Sequence, residues 1–168
     1  MKIFYNGSQY ESIQNKPMPT DAEEDNVEGF FGKIGAGCLF LGLSSGNVLI
    51  GKRSEEVMEP GTWGTWGGKV DDGENPVEAL ERELREECGF NKQADYIGVC
   101  VFREGEFEYH NYLVIVNQEF QPTLNDETDD FEWTSIDNLP QPLHFGLEDA
   151  LNYYKLAVRK VLNAQAKH

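Results

Sequence analysis

The sequence of 168 residues predicts one domain of α/β or α+β class, long enough to bury a core without staples. Three observations carry that expectation. Apolar runs of strand length come in two pairs, each pair joined by a short polar or glycine-containing turn. Between the pairs lies a segment of helical periodicity with start and stop signals at its ends. A second helical pattern follows near the C-terminus.

Residues 1–28 are polar and acidic with two prolines, and read as a partly ordered arm or an irregular edge. Strands are expected near 33–43 and 47–53, turning at Ser44-Ser45-Gly46. Residues 54–74 read as a Trp- and Gly-rich loop leading to a helix at about 76–88. That helix starts with Asn75 as N-cap and Pro76 at the first helical position, where a missing N–H costs nothing. Gly89 stands where a left-handed C-cap is wanted. Val77, Leu80, Leu84 and Cys88 recur at three- and four-residue steps and form one buried face, with Cys88 a small apolar filler. Tyr96 to Arg103 and Phe107 to Val116 read as a hairpin turning at Glu104-Gly105-Glu106, and Phe131 to Thr134 as a further strand. From 147 to 162 the apolar positions Leu147, Leu151, Tyr154, Val158 and Val161 return at helical spacing.

The first helix carries a second pattern. Glu83, Glu86 and Glu87 are three and four residues apart, so they share a face within an arc of about 100°. Like charges so placed repel by roughly 0.2–0.5 kcal/mol per pair in water, and by more where solvent is scarce. Alone, such a face reads as solvated surface. It stands, however, inside Gly68-x5-Glu74-x7-Arg82-Glu83-Leu84-x-Glu86-Glu87-x-Gly89-Phe90, whose chance occurrence in a chain of this composition is roughly one in a million. Converging carboxylates suit a hard divalent cation, and Mg²⁺ binds through a few carboxylates, retained waters and substrate phosphates. Gly67, Gly68 and Gly73 permit the tight loop that lays the helix against a strand.

This pattern resembles the motif of the Nudix family, in its MutT-like form, and the resemblance extends over roughly 33–162. It implies a mixed β-sheet held between helices, within a single Nudix domain assigned to 1–168 whose motif spans 68–90. It also implies a metal-dependent hydrolase of phosphoanhydride bonds in nucleoside diphosphate-linked compounds, using Mg²⁺ with Mn²⁺ as a substitute. Carried over position by position, Glu83, Glu86 and Glu87 hold metal. Gly68, Glu74, Arg82 and Gly89 shape the motif, with Glu74 and Arg82 as a salt bridge. Glu86 or Glu127 is the catalytic base; Glu127 stands six residues before Trp133, and its alternative is an exposed loop acid. Arg53, at the end of Leu49-Ile50-Gly51-Lys52-Arg53, is a phosphate contact or a surface ion-pair partner. Trp63 and Tyr109 are candidate substrate contacts, with packing the alternative for Trp63. Trp66 occupies a position usually filled by proline, which leaves the loop's shape open.

Substrate markers of subfamilies do not match cleanly. Gly105 stands where relatives acting on ADP-ribose have proline, and Tyr109 is one residue past the window of the dinucleoside polyphosphate group. The expectation is a nucleoside triphosphate or related nucleotide, with Phe102, Tyr109 and Tyr112 as base contacts. Dinucleoside polyphosphate or ADP-sugar hydrolysis is the alternative within the family. A non-catalytic nucleotide-sensing module is the alternative of another class.

A formal net charge of −16 disfavours nucleic-acid binding, which draws on Lys and Arg at phosphates. It also opposes the approach of an anionic substrate, so a bound cation has to neutralise the site locally. Cys38, Cys88 and Cys100 lack metal-ligand spacing and suit reduced thiols of a cytoplasmic protein. No run approaches transmembrane length, and the first residues lack the apolar core of a signal peptide. A homodimer is compatible with the sequence.

Overall fold

The computed structural model describes residues 34–167. The acidic arm of 1–28 and the first residue of the strand expected from 33 lie outside the described residues. The elements run β1 (Ile34–Gly42), β2 (Val48–Arg53), β3 (Trp63–Gly64), β4 (Trp66–Lys69), α1 (Pro76–Cys88), β5 (Asp95–Glu104), β6 (Phe107–Val116), β7 (Thr128–Thr134) and α2 (Phe145–Ala166).

One mixed sheet lies between two helices, an α+β architecture of the expected kind. β1 is central: it pairs in parallel with β6 and antiparallel with β2 and β4. β5 lies beyond β6, and β7 pairs with β2. Because side chains alternate along a strand, β1 divides its residues between two cores. Leu39 and Leu41 join Val48, Ile50 and Leu113 under Leu147, Tyr154 and Val158 of α2. Ala36, Cys38 and Phe40 join Leu49, Tyr112 and Val114 under Leu80, Leu84 and Cys88 of α1. Burial on both faces is why β1 reads as a continuous apolar run without polar alternation.

Local chemistry ends α1 where the sequence indicates. Asn75 accepts from the Glu78 N–H while the Glu78 side chain accepts from the Asn75 N–H, a reciprocal capping box. Gly89 takes a left-handed φ of 69°, and the Gly89 and Phe90 N–H groups donate to the carbonyls of Arg85 and Leu84.

The segment 54–74 departs from the expected loop by containing β3 and β4. β1 and β2 pair only at Phe40–Leu49 and Leu41–Val48, then diverge. Residues 63–69 run into that fork, pairing first with β2 at Lys52 and Gly51 and then with β1 from Cys38 to Gly35. Trp66 fills the fork: it is 2% exposed, and its indole N–H donates to the Leu49 carbonyl at 3.1 Å. The residue standing in place of proline is thus a core residue. β7 also begins at Thr128, ahead of the expected Phe131, because β2 supplies partners as far as Arg53.

Candidate active site

The close approach of β4 to α1 decides the geometry of the glutamate face. Gly67 has φ 146°, and a Cβ there would collide with the Ala36 carbonyl of β1. Its backbone N–H instead donates to Glu87 Oε2 at 2.8 Å. A Cβ on Gly68 would press on the Glu83 carboxyl group, with all three of its carboxyl atoms between 2.8 and 3.0 Å away. The two glycines therefore let two carboxylates sit flush against the sheet.

Arg82 fixes the other side of this unit. Its Nε and Nη2 donate to the two oxygens of Glu74, each at 3.0 Å, a bidentate pair. Nη1 donates to Glu83 Oε1 at 2.7 Å, and Nη2 also reaches the Lys69 carbonyl at 2.9 Å. One guanidinium thus ties loop, strand end and Glu83 together.

The two inner glutamates are electrostatically unusual. Glu87 is 8% exposed. Burial pushes its carboxyl well above the usual range, the charges of Glu83 and Glu127 add to this, and the Gly67 N–H and Arg53 oppose it. Burial likewise raises Glu83, offset by Arg82 and reinforced by Glu86 and Glu127. Among the described residues, no three His, Cys, Asp or Glu side chains already converge at metal-ligand spacing; Glu83 and Glu87 are held by Arg82 and Gly67. The donor set nonetheless fits a hard divalent cation. It consists of carboxylate oxygens, the inner ones desolvated and mutually repelling, and Mg²⁺ commonly needs only one or two of them beside water and phosphate.

Glu83 and Glu87 line a cavity of about 260 Å³ together with Arg53, Glu127, Tyr109 and His144. Arg53 Nε donates to the Met58 carbonyl at 2.6 Å. The guanidinium has no ion pair within 4.0 Å among the described residues. Burial lowers its proton affinity, while Tyr109, Glu87, Glu127 and Glu59 support its charge. Glu127 is delivered from the loop before β7 by Ser54, whose N–H donates to the Glu127 carbonyl and whose hydroxyl donates to the Asp126 carbonyl. Tyr109 sets its hydroxyl against Gly37, where a Cβ would collide with it, and within 3.3 Å of Thr65 Oγ1. Burial pushes the phenol up to about 12, so it stays protonated. Phe102, Phe107 and Tyr109 follow one another along the wall at ring separations of 6.2 and 6.5 Å.

Other expected residues fall elsewhere. Glu86 is outside the cavity wall, with a side chain 57% exposed and an oxygen 3.7 Å from Arg82 Nη1. Trp63 bonds through its backbone to Pro142 and His144, and its ring packs on the α2-side core. Tyr112 belongs to the α1-side core, on the opposite face from Tyr109, and leaves the set of base contacts. Ser54, Thr65 and His144 join the site without belonging to the motif. Only His144 carries a usable signal in the sequence, a polar residue directly before the apolar periodicity of α2.

The glutamate-bearing loop–helix unit opens on a cavity lined by Arg53 and by the aromatic rings of Phe102, Phe107 and Tyr109, a setting in which a cation and an anionic ligand can be held together. Residues 33–154 match the NUDIX domain. The nucleoside triphosphatase NudI of Klebsiella pneumoniae subsp. pneumoniae is 34% identical over 110 residues, covering 57% of this chain and 78% of the relative. NudI of Escherichia fergusonii is 33% identical over 112 residues, covering 58% and 79%. The MutT NUDIX hydrolase of Burkholderia pseudomallei superposes with a TM-score of 0.57 at 28% identity, covering 72% of this chain and 96% of that one. The chain belongs to the Nudix family and is a Nudix-type pyrophosphohydrolase, a class of enzymes that generally works with divalent metal ions.

Proposed function

We propose that this protein hydrolyses the phosphoanhydride chain of a nucleoside triphosphate or a closely related nucleotide, with Mg²⁺ as the cation and Mn²⁺ as its substitute. The observation that carries this reading is the pairing of desolvated Glu83 and Glu87 with the Arg53 guanidinium in one cavity. The nucleoside triphosphatase relatives support the substrate class.

Glu83 and Glu87, with Glu86 at the rim, hold the cation. When bound, it neutralises phosphoryl oxygens and acidifies water. Arg53 directs its guanidinium to the phosphate chain, a role supported by its lack of a carboxylate partner within 4.0 Å among the described residues. Tyr109, protonated throughout the working range, donates a hydrogen bond in the same cavity. Water attacks a phosphorus, the new P–O bond forms as the bridging P–O bond breaks, and a carboxylate accepts the water's proton. Glu127 is favoured over Glu86 for that step because it lines the cavity and Glu86 does not. The reading extends to a single Nudix domain in the cytoplasm, supported by three free buried cysteines; among the described residues no helix is long and apolar enough to cross a membrane.

The test is product-resolved hydrolysis of a panel: nucleoside triphosphates, ADP-ribose, nucleotide sugars, dinucleoside polyphosphates and NADH. Each is assayed with Mg²⁺ and again after chelation. Mg²⁺-dependent cleavage of triphosphates, identified by the released phosphate or pyrophosphate, is the expected result. Nucleotide binding without turnover would turn the reading into that of a sensor.

A further inference from the structure

Resting on the nucleotide reading above, we propose that His144 reads the base: its Nε2–H donates to a ring carbonyl, so the cavity selects oxo-base nucleotides over adenine nucleotides. Adenine is the common nucleobase without a carbonyl group, which makes the distinction a clean one.

The tautomer follows from the hydrogen bonds. His144 is the N-cap of α2, and its Nδ1 accepts from the Gly146 N–H at 3.0 Å. An accepting Nδ1 in a neutral imidazole leaves the proton on Nε2. The ring stays neutral because burial, then the nearby Arg53 charge, lowers its pKa to about 3. A neutral donor suits a carbonyl better than a phosphate, which calls for a cation.

The ring's orientation is set by its neighbours. Its Cβ and Cγ lie over Gly64, at 3.3 and 3.8 Å from where a Cβ would stand, and its Nδ1 and Cε1 lie against Gly146 at 3.2 and 3.4 Å on the same measure. Phe145 stacks on one ring face, with centroids 4.3 Å apart and planes 30° from parallel. What is left is the Nε2 edge, which has no hydrogen-bond partner among the described residues. His144 lines the cavity with Phe102, Phe107 and Phe145, so the donor sits among rings that can stack on any base. Stacking accepts all bases alike; a fixed donor does not. A base that covers this half-buried donor without offering an acceptor takes away its hydrogen bond to water without replacement.

Two substitutions separate the cap from the donor. His144→Asn keeps an acceptor near the Nδ1 position and removes the Nε2 donor. His144→Gln keeps a donor near Nε2 and removes the cap acceptor. The experiment measures kcat/KM for UTP, GTP and ATP with Mg²⁺ on the full chain and both variants. In parallel it measures the affinities of UMP, GMP and AMP by calorimetry, which do not depend on turnover. The native protein is expected to favour the uridine and guanosine compounds. His144→Asn is expected to lower the ratio of those values to the adenosine values by about tenfold. His144→Gln is expected to melt earlier but to keep the preference. A native protein without base preference, or a preference surviving intact in His144→Asn, overturns the proposal and leaves the hydrolase reading standing. Base-selective binding that His144→Asn abolishes, with no turnover of any triphosphate, upholds this proposal and overturns the hydrolase reading.

Discussion

His144 shows how one side chain can be constrained from two directions. Its Nδ1 can accept from Gly146 only while unprotonated, and its cavity holds its pKa at about 3. In the unfolded chain the imidazole titrates near its ordinary value of about 6.5. The native contribution is therefore fully present above about pH 6.5 and is lost as pH falls toward about 3, because the unfolded state takes up the proton first. The slope from this one group is at most about 1.4 kcal/mol per pH unit. Denaturant melts of the native protein and of His144→Asn between about pH 7 and pH 4 should diverge, the native protein losing stability faster. Parallel loss in the two would mean that His144 is not held neutral in the folded protein.

At the scale of elements, the unit made of β4 and α1 separates folding from catalysis at two adjacent glycines. A Cβ at Gly67 would meet backbone, and the φ of 146° is itself unfavourable to an L side chain. Gly67→Ala should therefore cost roughly 2–4 kcal/mol of stability. The three atoms nearest a Cβ at Gly68 all belong to the end of the Glu83 side chain, which can shift at the expense of its bond from Arg82. Gly68→Ala should melt within a few degrees of the native protein yet lose at least about tenfold in turnover through the displaced carboxylate. Equal damage to stability by both would contradict this division.

The same unit marks what the sequence makes legible. The ends of α1 are written in residues that bond to one another within three to six positions, Asn75 with Glu78 and Gly89 with Arg85, so they can be read locally. The α/β or α+β class follows from local periodicities, whereas the sheet held between helices is implied only by the resemblance of the motif to the Nudix family. The fork cannot be read from local periodicity. β3 has two residues and β4 four, too few for a periodic signal, and they exist because β1 and β2 diverge around Trp66. Within the site, the motif glutamates declare themselves by spacing. Ser54 and Thr65 acquire meaning only from distant partners, Asp126 and Tyr109, and His144, locally legible as a helix cap, owes its place in the cavity to Gly64, 80 residues away.

At the scale of the whole molecule, a net charge of −16 surrounds a cleft whose substrate is itself anionic. Acidic residues cluster in the sequence at Asp21 to Glu28 and Asp126 to Glu132; among the described residues, the second stretch, running from a loop into β7, and the loop carrying Glu55, Glu56 and Glu59 reach the cavity through Glu127 and Glu59. Long-range repulsion slows the approach of a nucleotide, and salt weakens it once the screening length falls to about 8 Å at physiological ionic strength. With Mg²⁺ held saturating, kcat/KM should rise severalfold between low salt and about 0.15 M monovalent salt. A fall over that range would mean that Arg53 and the bound cation dominate the field at a distance, not merely at contact.

The measurement closest to the central claim is Mg²⁺-dependent nucleoside triphosphate hydrolysis by Glu87→Gln beside the native protein, with thermal unfolding of both. Glutamine keeps an oxygen to accept from the Gly67 N–H and removes a buried charge, so the variant should melt at or above the native temperature without metal. Its turnover should fall by about a hundredfold or more. A well-folded Glu87→Gln protein that kept the full Mg²⁺-dependent rate would contradict the placement of the reaction at this carboxylate.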